Sequence, residues 1–316
     1  MNKNRIIIKM KANELAALAA GFRLRMFDIL HQRQTGHWGG SSSAAEIITS
    51  LYFDRLNIKP DQPKWENRDR FILSKGHASI CLYTILAHRG FFSPDVLPSF
   101  RTLGSILQGH PNMNTVPGVD FSTGALGHGV SAAAGMALTA QIQKKKFWVY
   151  VMVGEGCLDE GQTWEAILFA AKYKIKRMVL LIDYNKVQLD GPSADIMPLE
   201  PLTEKLTAFN WHTAPRIYNG HDCNEILDSF KWMDSDDIWP KAVIYNTVKG
   251  KGVSFMEGKS AWHGAPIDKD SYAKGRPELV SDLEKKAADH QGPSARSFQA
   301  TDQRGPLARS FQEAAL

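Results

Sequence analysis

Only three cysteines occur in the 316 residues, at positions 81, 157 and 223, widely spaced and with no Cys-x-x-Cys pair. That excludes a disulfide framework or a zinc knuckle and suits a reducing, cytoplasmic setting. Long apolar runs are missing too. The amino-terminal stretch carries a core of only three isoleucines, too short for a secretory h-region or a membrane span. Neither charge sign dominates, with 38 basic against 33 acidic side chains and a formal net charge of +5. The densest basic run, Lys144-Lys145-Lys146, has no interleaved aromatics, so it reads as a solvated helix end and not as a single-strand nucleic-acid platform. Neither nucleic acid nor membrane is expected as a partner.

What the chain does have is apolar content, 43% of residues, enough for one large core. Leu15, Leu18, Ala19, Phe22, Met26 and Leu30 recur at helical spacing from about residue 13. Gly36, Gly39 and Gly40 predict a loop, and a second helix is expected over 43–56. Short β-rich runs at 71–73, 147–153, 178–182, 216–218 and 242–247 are bounded by turn signals, as central strands of a parallel sheet are. Helical patterns separate them, from about residue 78 and over 129–143 and 163–173, and from about residue 224. Alternation of this kind predicts an α/β fold with a doubly wound parallel sheet. The organisation changes near residue 275. Residues 1–275 are expected to form the domain, and 276–316 a polar, partly disordered tail holding the near-repeat GPSARSFQ and GPLARSFQ from Gly292 and Gly305.

Ligands of open parallel sheets bind beyond the carboxyl ends of the strands. Gly154-Glu155-Gly156 follows the run at 147–153: its glycines allow close backbone approach to a phosphate group, and its carboxylate suits a hard divalent cation. By itself the segment reads more readily as an acidic turn. The run at 178–182 leads into Asp183-Tyr184-Asn185-Lys186-Val187, about thirty residues on, as one βαβ unit requires. Glu155, the Asn185 amide oxygen and the Val187 carbonyl would then make half of an octahedral magnesium site.

These residues resemble a known family. GEGCLDEGQTWEA followed by IDYNKVQLDG is similar to the thiamine-diphosphate motif of transketolases, written GDG, about thirty residues, then N. Glu155 stands where that family has Asp. Further segments follow in family order: Gly36-His37-Trp38-Gly39-Gly40 resembles GHPGG, with Trp38 in place of proline. Phe71 to His77 resembles FVLSxGH, Gly109-His110-Pro111 GHP, Thr123 to Gly129 TGxLGQG with His128 replacing glutamine, and His263 to Pro266 HGxP.

The resemblance spans about residues 13–275 and implies the diphosphate-binding (PP-type) fold, with thiamine diphosphate and Mg2+ (or Ca2+ or Mn2+) as cofactors. It implies transfer of a two-carbon ketol unit from a ketose, or ketose phosphate, to an aldose. His37, His77, His110 and His263 are the implied catalytic residues, His37 and His110 at the sugar and His77 and His263 at the diphosphate and reacting centre. His77, Gly124, Leu126, Gly154, Gly156, Asn185 and His263 are implied to bind the cofactor, and Glu155, Asn185 and Val187 the metal. Glu160 and Glu165, otherwise ordinary acids of a helix's first turn, are implied to join an acid network at a subunit interface. The glutamate that activates the cofactor belongs, in the family, to a second, pyrimidine-binding domain for which this chain has no room. A split enzyme is therefore expected: an amino-terminal subunit working with a carboxy-terminal partner, as an α2β2 heterotetramer acting on sugar phosphates. Two alternatives stand beside it, a non-catalytic transketolase-like subunit and the α subunit of a 2-oxoacid dehydrogenase E1.

Overall fold

The computed structural model describes residues 9–235 and 238–289. Six parallel strands make one sheet: β1 Arg70–Leu73, β2 Val149–Gly154, β3 Met178–Tyr184, β4 His212–Thr213, β5 Tyr218–Asn219 and β6 Lys241–Asn246. Their order is β1-β2-β3-β6-β4, with β5 pairing the far end of β6. The helices in chain order are α1 Ala12–Arg33, α2 Trp38–Ser43, α3 Ala45–Ser50, α4 Ser79–His88, α5 His128–Ile142, α6 Glu155–Leu158, α7 Gly161–Lys172, α8 Ser193–Ile196, α9 Leu202–Ala208, α10 Cys223–Met233 and α11 Lys269–Ala288.

Side chains of a strand alternate between its two faces, and this sequence fills both with apolar groups. Tyr150, Met152, Val179, Leu181, Val243 and Tyr245 join the core made with α1, α3, α4 and α10. Val149, Val151, Val153, Leu180, Ile182 and Ile244 join the one made with α5, α7 and α9. The result is the doubly wound three-layer arrangement that the strand and helix alternation predicts.

Three local expectations need correction. Gly39 and Gly40 are not loop residues but lie inside α2. The continuous helix over 43–56 is instead α2, α3 and a π-helical turn, Leu51–Arg55, broken at Ala44. Here every residue is buried, so tertiary packing outweighs propensity. The strand at 216–218 lies at Tyr218–Asn219, and His212–Thr213 forms a short edge strand that carries too little pattern to predict. At the carboxy-terminal end, α11 runs through residue 275 to Ala288 and docks on α1: Gly275 packs on Phe27, and Tyr272 stacks on His31 at 3.9 Å. Ordered structure thus continues past the expected boundary. The repeated octapeptides lie outside the described residues. All three cysteines are free and buried, and no helix among the described residues is long and apolar enough to cross a membrane.

Candidate active site

Because the strands are parallel, their carboxyl ends discharge at one edge, and each delivers chemistry there. β1 leads into Ser74-Lys75-Gly76-His77, β2 into Gly154-Glu155-Gly156, β3 into Asp183 and Asn185, and β6 into Thr247-Val248-Lys249. Gly76 belongs to a short 3-10 turn; a Cβ there would meet the Thr123 side chain at 2.7 Å and the Gly124 nitrogen at 3.1 Å. That close approach brings the loop before α5 against β1. Leu126 then lies over Gly156, and Gly124 over the His110 ring.

The four histidines expected to act together converge. The rings of His37, His77 and His263 form a triangle with centroids 5.2, 5.4 and 5.0 Å apart, and His110 faces Gly124 beside them. Burial, then the nearby positive charges, hold all four below the ordinary imidazole range. His263 falls to about 3 through burial and Lys249, and His37 to about 4 through burial and Arg101. His77 and His110 shift the same way, with Lys75 and Arg101 as their respective neighbours. At neutral pH the cluster is uncharged, so each ring offers one N–H donor and one acceptor.

Sequence reasoning passed over two lysines that complete this edge. The Lys75 ammonium is buried against Asp183, which also accepts from Ser43 Oγ at 2.6 Å and from Thr247 Oγ1. Burial would raise the Asp183 pKa, but Lys75 and these donors keep it below the usual range. Lys249 Nζ donates to the Val187 carbonyl at 2.9 Å and to His263 Nδ1 at 2.8 Å. No carboxylate lies within ion-pair distance of it among the described residues, and burial with Lys75 nearby lowers it to about 8. Each sits beside glycine just past a strand end, a signal that marks the position but not a role.

The expected metal ligands also meet. Glu155 is buried, and its carboxylate accepts from the Asn185 and Lys186 backbone N–H groups and from Ser193 Oγ. Burial, with Asp183 nearby, raises it to about 7 against those hydrogen bonds. Asn185 Oδ1 accepts from Val187 N–H at 3.2 Å, so all three expected oxygens belong to one loop cluster. No group of three or more His, Cys, Asp or Glu side chains placed to hold a metal occurs among the described residues; the expected set contains just one carboxylate.

Glu160 and Glu165 stand apart from this edge. Glu160 is the N-cap residue of α7, Glu165 lies one turn on, and both are exposed. Beyond them α7 exposes Leu168 and Phe169, and Tyr173 follows at its end. Four other histidines make structural contacts. His31 Nδ1 pairs with the Ile267 carbonyl, His88 Nδ1 with that of Thr84, His212 packs edge-on against Trp232, and His221 bridges Glu46 and the Val248 N–H.

Residues 15–304 match the family model described as "Transketolase, thiamine diphosphate binding domain". Among similar proteins, an apulose-4-phosphate transketolase subunit of Phocaeicola vulgatus is 38% identical over 85% of this chain and 95% of its own length. The 6-deoxy-6-sulfo-D-fructose transketolase subunit of Clostridium sp. (strain MSTE9) is 40% identical over 80% of this chain and 90% of its own. Among solved structures, transketolase from Campylobacter jejuni superposes with a TM-score of 0.78 and 26% identity, covering 96% of this chain and 50% of that one. The chain thus matches nearly the whole length of those two relatives and half of the Campylobacter transketolase.

Proposed function

The chain belongs to the transketolase family through its thiamine-diphosphate-binding domain, and we propose that it is the amino-terminal subunit of a split transketolase, active with a pyrimidine-domain partner. The observation that carries this reading is the strand-end edge itself, where three neutral imidazoles gather around two buried lysines. A buried ammonium without a carboxylate partner, as at Lys249, is costly unless an anion completes it. The diphosphate of the cofactor is such an anion, so the residues present fit it.

Lys75, Lys249, His77, His263 and the backbone at Gly124, Leu126, Gly154 and Gly156 would hold the diphosphate. Glu155, Asn185 and the Val187 carbonyl would hold Mg2+ or a similar hard cation. Bound thiamine diphosphate supplies the nucleophilic carbon and electron sink needed to cut a ketose carbon–carbon bond. The chain's own contribution is placement. His37 and His110 would donate to and accept from sugar hydroxyls, the neutral state of the imidazoles giving each ring one donor and one acceptor. Rigid placement of this kind lowers a barrier by about 7–11 kcal/mol in favourable cases.

The partner reading rests on α7, whose exposed Glu160, Glu165, Leu168 and Phe169 form one surface. A cytoplasmic α2β2 assembly is part of this proposal. The retained histidines and lysines favour catalysis over a non-catalytic role. The relatives' names point to a ketose with an anionic terminus, phosphorylated or sulfonated, as donor.

Co-expression with the partner subunit tests this reading. The complex should transfer a two-carbon unit from xylulose 5-phosphate, apulose 4-phosphate or 6-deoxy-6-sulfofructose to an aldose phosphate, and neither chain alone should do so. A stable complex that binds cofactor yet transfers from none of these donors overturns it. Asp at position 155 should retain metal-dependent cofactor binding and Ala should abolish it; equal binding by Glu155→Asp and Glu155→Ala would sink the metal assignment.

A further inference from the structure

Arg101 lies outside every family motif, yet its guanidinium spans the segment that presents His37. It sits in a left-handed backbone conformation, φ +58°, with its N–H donating to the Leu107 carbonyl at 2.9 Å. Nη1 donates to Thr35 Oγ1 at 2.9 Å, and Nη2 lies 3.4 Å from His37 Nδ1. The fork lies over Gly109, where a Cβ would come within 3.0 Å of Nε and Nη2. A side chain at Gly109 would therefore crowd the Arg101 guanidinium. On the other side, a Cβ at Gly264 would meet the His37 ring at 3.0 Å. Gly36, at φ +125°, has no room for a side chain against Leu30. The His37 ring thus packs against Gly264, and on its Nδ1 side it meets the guanidinium.

A guanidinium has donors only and does not deprotonate in proteins, so the contact fixes its direction: His37 Nδ1 must accept. We propose that Arg101 is a positioning residue for the transfer reaction, holding His37 as the Nε2–H tautomer with that N–H turned into the site. The inference rests on His37 acting at the sugar. Tying residues 35 and 37 with one planar group fixes backbone and ring together, which a flexible ammonium cannot do. Burial first, then the Arg101 charge with His110 and Lys249, holds the ring's pKa down; His77 and His263 are the other titratable groups facing it.

The test uses the full chain with 15N-labelled histidine rings, His37 being assigned from the spectrum of His37→Gln. The native protein should show His37 with Nδ1 unprotonated and Nε2 protonated at pH 7. Arg101→Met should give mixed tautomers and move the His37 titration to higher pH, whereas Thr35→Val, which removes only the other tie, should leave the tautomer alone. Arg101→Lys should restore the titration but not the single tautomer. In the complex with the partner subunit, Arg101→Met should lower kcat on the order of tenfold, with its acid limb displaced in the same direction. An Nδ1–H tautomer in the native chain, or an unchanged one in Arg101→Met, overturns the proposal. So does a changed tautomer that leaves kcat and its pH profile untouched. The ring spectra are read without any turnover, so they stand even if the complex transfers from no donor tested.

Discussion

The two faces of the sheet are built differently. The layer of α1, α3, α4 and α10 is threaded with buried polar and charged groups. Arg23 and Glu46 pair at 2.5 Å with each side chain 1% exposed, Arg55 reaches Tyr150 Oη and Asp234, and Ser229 meets Tyr245 Oη. The layer of α5, α7 and α9 buries its polar groups against carbonyls, as Thr163 does with Cys157 and Trp211 with Ile167, and no buried ion pair lies in it among the described residues. The polar threads lead to the site: Glu46 also accepts from His221 Nδ1, and His221 Nε2 accepts from the Val248 N–H next to Lys249. The first face spends stability on fixing loops in place; the second is plain packing that leaves its outer surface free for other uses.

The sharpest break in that contrast comes from cutting one thread. Burial would push Glu46 up, but Arg23 and His221 hold it far below the ordinary carboxylate range. Glu46→Ala leaves the Arg23 guanidinium buried without its counterion and should cost about 3–5 kcal/mol. Urea unfolding reads this directly. The paired replacement Arg23→Met with Glu46→Leu should recover most of that stability, because an apolar pair of similar volume removes both desolvation costs. The double variant should still bind cofactor less well than the native chain, since His221 loses its acceptor and the Val248–Lys249 segment its anchor. Recovery of stability with full recovery of cofactor affinity would erase the functional half of the contrast.

The histidine edge gives the next effect, and its sign is fixed. His37 is depressed to about 4 and His263 to about 3 from an ordinary 6.5. A base whose folded pKa is depressed stabilises the fold fully above its unfolded pKa. That contribution is lost as pH falls through 6.5 toward the folded values. The urea midpoint of the chain should therefore decline between pH 6.5 and 4, and His263→Gln should flatten the slope. Bound diphosphate opposes the decline, because an anion beside the rings favours their protonated form. A slope unchanged by His263→Gln would mean that the carboxylates of the first layer, and not the imidazole cluster, govern acid sensitivity.

How far the sequence reveals this design depends on the range of the interactions. The parallel sheet was legible because β1, β2, β3 and β6 are continuous apolar runs, and the histidines because glycine or proline flanks each of them. The break of α2 from α3 was not, since wholly buried segments have no polar face to mark a period. Lys75 lies within a family motif and Lys249 does not, and the sequence assigns neither a role, because what marks Lys249 is the absence of a carboxylate in three dimensions and what marks Lys75 is a partner 108 residues away. Arg101 was hidden for a similar reason: its partners are 66 and 64 residues away in the chain. The α11 continuation past residue 275 was missed because its composition is polar and its docking on α1 rests on a few residues such as Tyr272, Gly275 and Leu279.

The smallest effect on stability should come from the outer surface of the second face, and it is the most discriminating for the partner. Leu168 is 58% exposed on α7, beside exposed Phe169 and one turn from Glu165. Leu168→Ser removes little buried area in the isolated chain and should change its unfolding free energy by less than about 0.5 kcal/mol. If α7 is where the partner docks, the same change strips an apolar anchor from the centre of an interface. Association measured by sedimentation with the partner should then weaken by about tenfold, the scale of a 1.4 kcal/mol loss. Glu165→Gln on the same helix should weaken it less, since a rim carboxylate changes association rate more than affinity. An isolated chain destabilised by Leu168→Ser would mean that this surface is already packed. Unaltered association would move the partner to another face of the domain and leave the apolar strip of α7 without a function in assembly.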